Sequence, residues 1–500
     1  MVMNQWEVMN IDRCREWLVV CLAILTVFNS ATNGRDLTSK RDPARRALAQ
    51  LETLKMDENG MMQVYYDYLE DGRLKGGKSI MPVPELELAT LAAMPPYNAY
   101  TLIDNGPSEN RIDLVFVGDG YTADEMDTYL DHVQNVITDF FNDQPLDAYV
   151  NYFNVHVVEV VSNESGVDEP DNGIYRDTAL DMTFNCNNIP RLLCVDYGKA
   201  WTAAENARDV DVVLALANST RYGGAGYSKL STLAGGNDAA VELALHEYGH
   251  SFAGLADEYH YEDGSTYTGP EPTPPNVSIY DADAQLAQQR KWYRWLDLAE
   301  VGTFEGAMYK QYAIYRPTQD SKMKALGYPF GPVNVEQFVF GIYDDLSPID
   351  AVSPVSNDVF WSTIVFSVTV QRPLTHTVSI EWQIDGVPIY GANEANFCPD
   401  SYLATNTVQI LTARVVDAVL LVRDENKREN LLTDQQNWLV WKASADFTGD
   451  GFVNMADLSE MILRWLLNEP DYDIAPGGGD GIVNFQDFAI LAKDWLSVAP

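Results

Sequence analysis

The chain has 500 residues, of which 46% are hydrophobic and 11% aromatic, enough for several cores and too many for a disordered or fibrous chain. Its 73 Asp and Glu against 33 Lys and Arg give a formal net charge of −40, which argues against phosphate-backbone binding and so excludes nucleic acid as an expected partner. Carboxylates at this density fit an extracellular chain that meets calcium, because hard cations are held by oxygen ligands.

In chain order, Arg13 and Arg15 precede an apolar stretch over 17–28, with Ser30 and Ala31 behind it. This is the layout of a secretory signal peptide over 1–31, and the stretch is too short to span a bilayer. No later segment is apolar over a spanning length, so the mature chain is expected to be secreted and soluble. Cys14 and Cys21 leave with the leader. Cys186 and Cys194, close together in a loop-like stretch, read as a disulfide in an oxidising compartment, which leaves Cys398 unpaired.

Residues 35–98 begin as a basic helical segment and continue into MMQVYYDYLEDGRLKGGKSIM, a hairpin pattern, predicting a small β-rich domain closed by Pro-rich MPVPELELAT and AAMPPYN. Over 99–345, apolar strands such as IDLVFVGDG and YFNVHVVEVV mix with helices such as TADEMDTYLDHVQNVITDFF, predicting an α+β domain of catalytic size. Short alternating strands over 350–443 predict a β-sandwich. Residues 444–500 carry two copies of a loop followed by an apolar helix, with Gly451 and Gly481 at matching positions.

The chemistry concentrates in ALHEYGHSFAGLADEY, residues 244–259. His246 and His250 stand one helical turn apart, so their imidazoles leave the same face and can grip one metal, with Glu247 beside them. Six histidines in the whole chain make this spacing improbable by accident. Gly254 can end the helix at positive φ and turn the chain back, which makes Asp257 the first choice for a third zinc ligand and Glu258 the second; either is also suited to orient a histidine from outside the metal.

With these residues in place, the chain resembles the IgA-peptidase metalloprotease family over most of residues 45–345. The resemblance is carried by NGPSENRIDLVFVGDGYTADEM, FNVHVVEVVSNESGVD, NSTRYGGAGYS, HEYGHSFAGLADEY, KWYRWL and EGAMYKQYAIYRP. It implies a zincin-type catalytic domain behind an N-terminal β-rich domain, one zinc on His246 and His250, and Glu247 as the catalytic residue. SKMKALGYPFGPVNVEQ looks like the segment supplying a methionine floor, with Met323 read either as the Met-turn residue or as a core methionine; the family's pattern allows cysteines near Gly331 and Asn334, and none stands there. Tyr222, Gly223 and Gly224 read either as an edge that substrate backbone approaches or as a Gly-rich turn. Tyr259 reads either as an oxyanion donor or as a packed tyrosine.

In the tail, Asp446, Thr448, Asp450, Phe452, Asn454 and Asp457 occupy the ligand positions of a calcium loop around Gly451. The second copy, aligned on Gly481, puts Pro476 and Gly478 where ligands belong and keeps Asp480, Asn484 and Asp487, with Asp473 of use only if the loop reroutes. The pair resembles a type I dockerin, which implies a cohesin-like partner; it reads equally as a folded terminal tag. The leading expectation is therefore a secreted zinc endopeptidase acting on protein or peptide, with one calcium and a weaker or absent second. The opposing one is a non-catalytic surface-binding protein on a degenerate peptidase fold.

Overall fold

A computed structural model describes residues 61–70, 73–82 and 97–495, apart from 228, 357, 406, 443, 449, 451 and 476–478. The expected leader and the basic segment after it lie outside the described residues. The protein is multidomain and mixed α/β. One unit holds residues up to 347 with returns at 373–376 and 419–427; the other holds 348–372, 377–418 and 428–500.

The first unit carries β1 (Met61–Glu70), β2 (Arg73–Pro82), β3 (Asn98–Ile103), β4 (Ile112–Asp119), α1 (Met126–Phe140), β5 (Phe153–Glu159), α2 (Tyr197–Ala204), β6 (Val212–Ala217), β7 (Gly224–Gly226), β8 (Leu230–Ala234), α3 (Ala240–Ser251), β9 (Phe304–Ala307), β10 (Lys310–Arg316) and α4 (Pro332–Asp345). Eight strands form one sheet in the order β2-β1-β7-β8-β6-β4-β5-β3. Its centre, β8-β6-β4-β5, is parallel. Strands β4, β6 and β8 are buried along their whole length. Helices cover both faces, which is why these strands read as continuous apolar runs rather than as alternation.

The two faces separate by residue parity. Val115, Val117, Val213 and Ala215 join Ala200 and Ala203 of α2 in one core. On the other face Gly118 meets the Tyr129 ring of α1, and Phe140 of α1 meets Tyr248 of α3 with ring centroids 5.0 Å apart. Helix α1 buries Tyr129, Val133, Val136, Ile137 and Phe140, a stripe at helical spacing. A capping box between Thr122 and Glu125 sets its start, so part of the acidic run here neutralises helix-start N–H groups.

The hairpin β1–β2 corrects the expected domain plan. It pairs along its whole length and joins the large sheet through Tyr65 opposite Gly226 of β7. Val64 is fully buried in the α2-side core. Among the described residues, then, the N-terminal β-structure is part of the first unit and its large sheet rather than a domain before it; its sheet partner lies far along the chain, which local pattern does not reveal.

The second unit carries β11 (Ile349–Ser353), β12 (Val359–Trp361), β13 (Phe366–Val370), β14 (Ser379–Ile384), β15 (Val387–Pro388), β16 (Asn396–Phe397), β17 (Val408–Val416), β18 (Thr433–Trp441), α5 (Met455–Leu463) and α6 (Phe485–Lys493). Sheets β11-β13-β16 and β12-β18-β17-β14-β15 share a core of Phe366, Val368, Trp382, Leu411 and Trp438. A smaller core holds Trp441, Val453, Met461, Ile474, Val483 and Leu491 around the two tail helices.

Phe116, at the middle of β4, is fully buried. Phe116→Ala is expected to destabilise the first unit by about 3–5 kcal/mol, read as a lowered urea midpoint.

Candidate metal centre

Helix α3 holds His246, Glu247 and His250, with His246 and Glu247 fully buried. The helix ends where Gly254 takes φ +63° and Leu255 N–H donates to Gly249 O at 3.0 Å. This left-handed stop sends the chain back across the helix end. The returning segment does two things. Leu255 O accepts from His250 Nδ1 at 2.8 Å, and Asp257 swings its Oδ1 to 3.3 Å from both His246 Nε2 and His250 Nε2.

A second carbonyl completes the orientation, since Lys322 O accepts from His246 Nδ1 at 2.9 Å. A carbonyl only accepts, so each Nδ1 carries the ring proton and each Nε2 presents a lone pair to the centre. The two Nε2 atoms are 3.2 Å apart. Two lone pairs and a carboxylate oxygen converging at 3.2–3.3 Å repel one another unless a cation lies between them. Tetrahedral bonds of about 2.0–2.1 Å separate their donors by about 3.3–3.4 Å, so the donor set fits zinc. Among the described residues this is the only close group of three His, Cys, Asp or Glu.

The sequence left Asp257 and Glu258 as alternatives, and the geometry separates them. Glu258 turns away and accepts from Ser321 Oγ at 2.6 Å, Asn276 Nδ2 at 2.9 Å and Asn334 Nδ2 at 3.0 Å. Burial pushes its carboxyl up, partly offset by these hydrogen bonds. Asp257 is as deeply buried, but its Oδ1 stays beside the two imidazole nitrogens.

Met323 is fully buried, and a Cβ built on Gly249 would stand 2.7 Å from its Sδ. The methionine therefore lies directly under the turn that separates the two histidines, and only glycine leaves room for it. Met323 O accepts from Glu258 N–H at 2.8 Å, so the same segment that orients His246 also ties down the returning chain.

Tyr309 escaped sequence reading. Its hydroxyl donates to Asp257 Oδ2, and its N–H donates to Tyr259 O at 3.1 Å. It sits in the two-residue connection between β9 and β10 with Met308, at φ +66° and +46°. Such turns favour Asn-Gly, and each side chain there costs roughly 1–2 kcal/mol. The strain is offset by contacts to the metal-site loop, a pattern characteristic of functional sites. The one sequence signal was the stretch EGAMYKQYAIYRP, which assigned no role to this tyrosine. Tyr259 itself is buried against Tyr309, with ring centroids 5.3 Å apart.

The substrate-edge candidates lie at the start of β7. Gly223 and Gly224 are buried, and a Cβ on Gly224 would meet Thr232 O at 2.7 Å and Leu243 Cδ2 at 2.8 Å, so their smallness serves packing within the sheet. Tyr222 lies under the Arg191 guanidinium. Their neighbour Gly226 is the one beside the chemistry, because a Cβ there would stand 2.6 Å from Glu247 Oε2. Cys186 and Cys194 are joined by a disulfide, and Cys398 is free and exposed.

In the tail, Asp457 Oδ1 accepts from Thr448 N–H at 3.0 Å, Asp446 Oδ1 from Asp450 N–H at 3.2 Å, and Asn454 donates to Phe452 O at 3.3 Å. The second loop repeats this with Asp473 in the place of Asp446: it accepts from Asp480 N–H at 3.0 Å and from Gly481 N–H at 2.5 Å. Asp487 accepts from Ile474 and Ala475, and Asn484 donates to Ile482 O. The alignment that began this copy at Pro476 is thus corrected; the loop starts at Asp473 and is three residues longer, and Gly451, Pro476 and Gly478 lie outside the described residues.

Residues 100–300 match the family model of IgA Peptidase M64, less than half of the chain but including every residue of the three-donor group. The match suggests a metallopeptidase. No curated protein matches the chain.

Gly249→Ala, which forces a methyl against Met323, is expected to lower stability by about 1–3 kcal/mol, measured by chemical denaturation.

Proposed function

We propose that the chain is a secreted zinc endopeptidase, with His246 Nε2, His250 Nε2 and Asp257 Oδ1 holding the metal and Glu247 as general base and acid. The supporting observation is the convergence of three lone-pair donors beside a buried glutamate on the same helix, within a stretch that matches a peptidase family. Bound zinc supplies a Lewis acid and a water of lowered pKa.

The remaining chemistry belongs to the chain. Glu247 takes a proton from the attacking water at a carboxylate oxygen and returns it to the leaving amine nitrogen. Lys322 O and Leu255 O keep both imidazoles in the ligating tautomer. Tyr309 donates to Oδ2 of Asp257, which would leave Oδ1 turned to a bound metal.

The export part of the proposal rests on the pattern over 1–31. The dockerin-like tail, its calcium and a cohesin-like partner rest on the two loop–helix copies, in which Asp446, Thr448, Asp450, Phe452, Asn454 and Asp457 form the first loop and Asp473, Asp480, Asn484 and Asp487 the second.

Glu247→Gln is expected to retain one zinc per chain and to lose casein hydrolysis by a factor of at least about 100, as removal of a general base requires; full activity in that variant contradicts the assignment. Tyr309→Phe is expected to weaken zinc binding roughly 10- to 100-fold, measured by competition with a chromophoric chelator.

A further inference from the structure

The metal centre is closed in this structure. His246 and Glu247 are 0% exposed, Asp257 1% and His250 6%, and both carboxylate oxygens of Glu247 are shut off from solvent. A polypeptide cannot reach an atom that water cannot. If the centre hydrolyses peptides, as proposed above, some element must leave it first.

The hairpin β1–β2 is that element. The Tyr65 ring stacks on the His250 imidazole, with centroids 4.3 Å apart and planes 11° from parallel. The Lys78 ammonium stands 4.7 Å over the other part of this aromatic pair, against the Tyr65 ring. On its far strand, Gly76 donates its N–H to the Tyr261 hydroxyl at 3.0 Å and accepts from it at its carbonyl at 2.7 Å. Tyr261 lies four residues past Asp257, so the hairpin touches one of the three donors and is fastened to the chain just beyond them.

Its backbone position matters more than its side chains. β7 pairs with β8 along one edge, and on the other edge Gly226 faces Tyr65. Gly226 is the residue whose missing side chain makes room for Glu247 Oε2. An extended peptide that joins a sheet edge gains main-chain hydrogen bonds and leaves its side chains to neighbouring pockets. The β7 edge next to Glu247 suits such a strand, and in this structure the chain's own β1 takes it, with Tyr65 opposite Gly226.

We propose that the β7 edge is the docking edge for an extended polypeptide and that the hairpin Met61–Pro82 is its internal competitor, which holds the centre closed until it is displaced. The proposal rests on the peptidase reading for its substrate class, but the competition is a statement about strand exchange and is measurable without turnover. Apparent affinity for the peptide equals the intrinsic affinity scaled by the fraction of chains in the open state. Removing one hairpin contact worth an ordinary hydrogen bond raises that fraction roughly fivefold, and peptide affinity with it.

The test uses the full chain, zinc-loaded, in the Glu247→Gln background so that bound peptide is not cut. Tyr261→Phe removes both hydrogen bonds to Gly76, and Tyr65→Ala removes the ring on His250. Hydrogen exchange of the β1 amides and binding of a fluorescein-labelled casein fragment, read by anisotropy, are measured together. Faster β1 exchange with binding tighter by roughly fivefold or more supports the proposal. Faster exchange with unchanged or weaker binding makes the hairpin a fixed wall and overturns it, as does unchanged exchange in both variants. Should Tyr65→Ala fail to fold, Tyr261→Phe decides alone. Tighter binding accompanied by no hydrolysis in any Glu247-intact counterpart rejects the peptidase reading and leaves the competition standing.

Discussion

Two backbone carbonyls govern this protein's chemistry. By accepting from His246 Nδ1 and His250 Nδ1, Lys322 O and Leu255 O force both imidazoles to turn unprotonated Nε2 atoms inward. Without them the rings are free to take the other tautomer, and the three-donor group dissolves. Much of the surrounding structure serves to keep these carbonyls in place. The Lys322 side chain, almost fully buried, is held by Glu242 at 2.7 Å and Asp143 at 2.9 Å, which anchors its segment to α3 and to the loop after α1. Asn276 clamps Ala256 from both sides, donating to its carbonyl and accepting from its N–H at 2.8 Å each, so the chain carrying Asp257 returns along one path. Glu258 knits the two segments together through Ser321, Asn276 and Asn334. The carboxylate next to Asp257 is here a structural tie, and its burial is supported by three donors.

The parts of this arrangement that are local in sequence were legible in it. His246 and His250 announce themselves because a helix puts positions four apart on one face, and Gly254 announces the turn because few other residues tolerate its φ of +63°. Met323 was singled out only through a family resemblance; in the structure its sulfur packs against Gly249. Tyr309 was illegible, since it reaches Asp257 from another hairpin and from a strained turn whose residues carry no turn signature. The hairpin β1–β2 was recognised as a hairpin but not as part of the large sheet, because strand pairing at long range leaves no periodic trace. The second tail loop was misaligned because glycine spacing was taken as the ruler, whereas the loop preserves its carboxylates and absorbs three extra residues between them.

The acidity also changes meaning. Residues 101–175 hold sixteen acidic side chains and one basic one. Several of them are acceptors for loops rather than a face awaiting a ligand. Asp119 is buried, accepts from Leu180 and Met182 N–H groups and from Ser162, and has its carboxyl pushed up by burial. Asp113 is buried with His156 at 2.7 Å. Glu169 and Asp171 together hold Arg221. In a segment with long connections between strands, carboxylates replace the missing ladder partners of backbone N–H groups. The negative charge is partly the cost of building those loops.

Two imidazole nitrogens and one carboxylate oxygen are proposed to converge on a single zinc. X-ray absorption at the zinc edge of the full chain, loaded with one equivalent, measures that shell directly. The account predicts about four nitrogen and oxygen donors near 2.0–2.1 Å, two of them with the outer-shell scattering of imidazole, and no sulfur. A sulfur donor near about 2.3 Å, or a shell without histidine scattering, would contradict it.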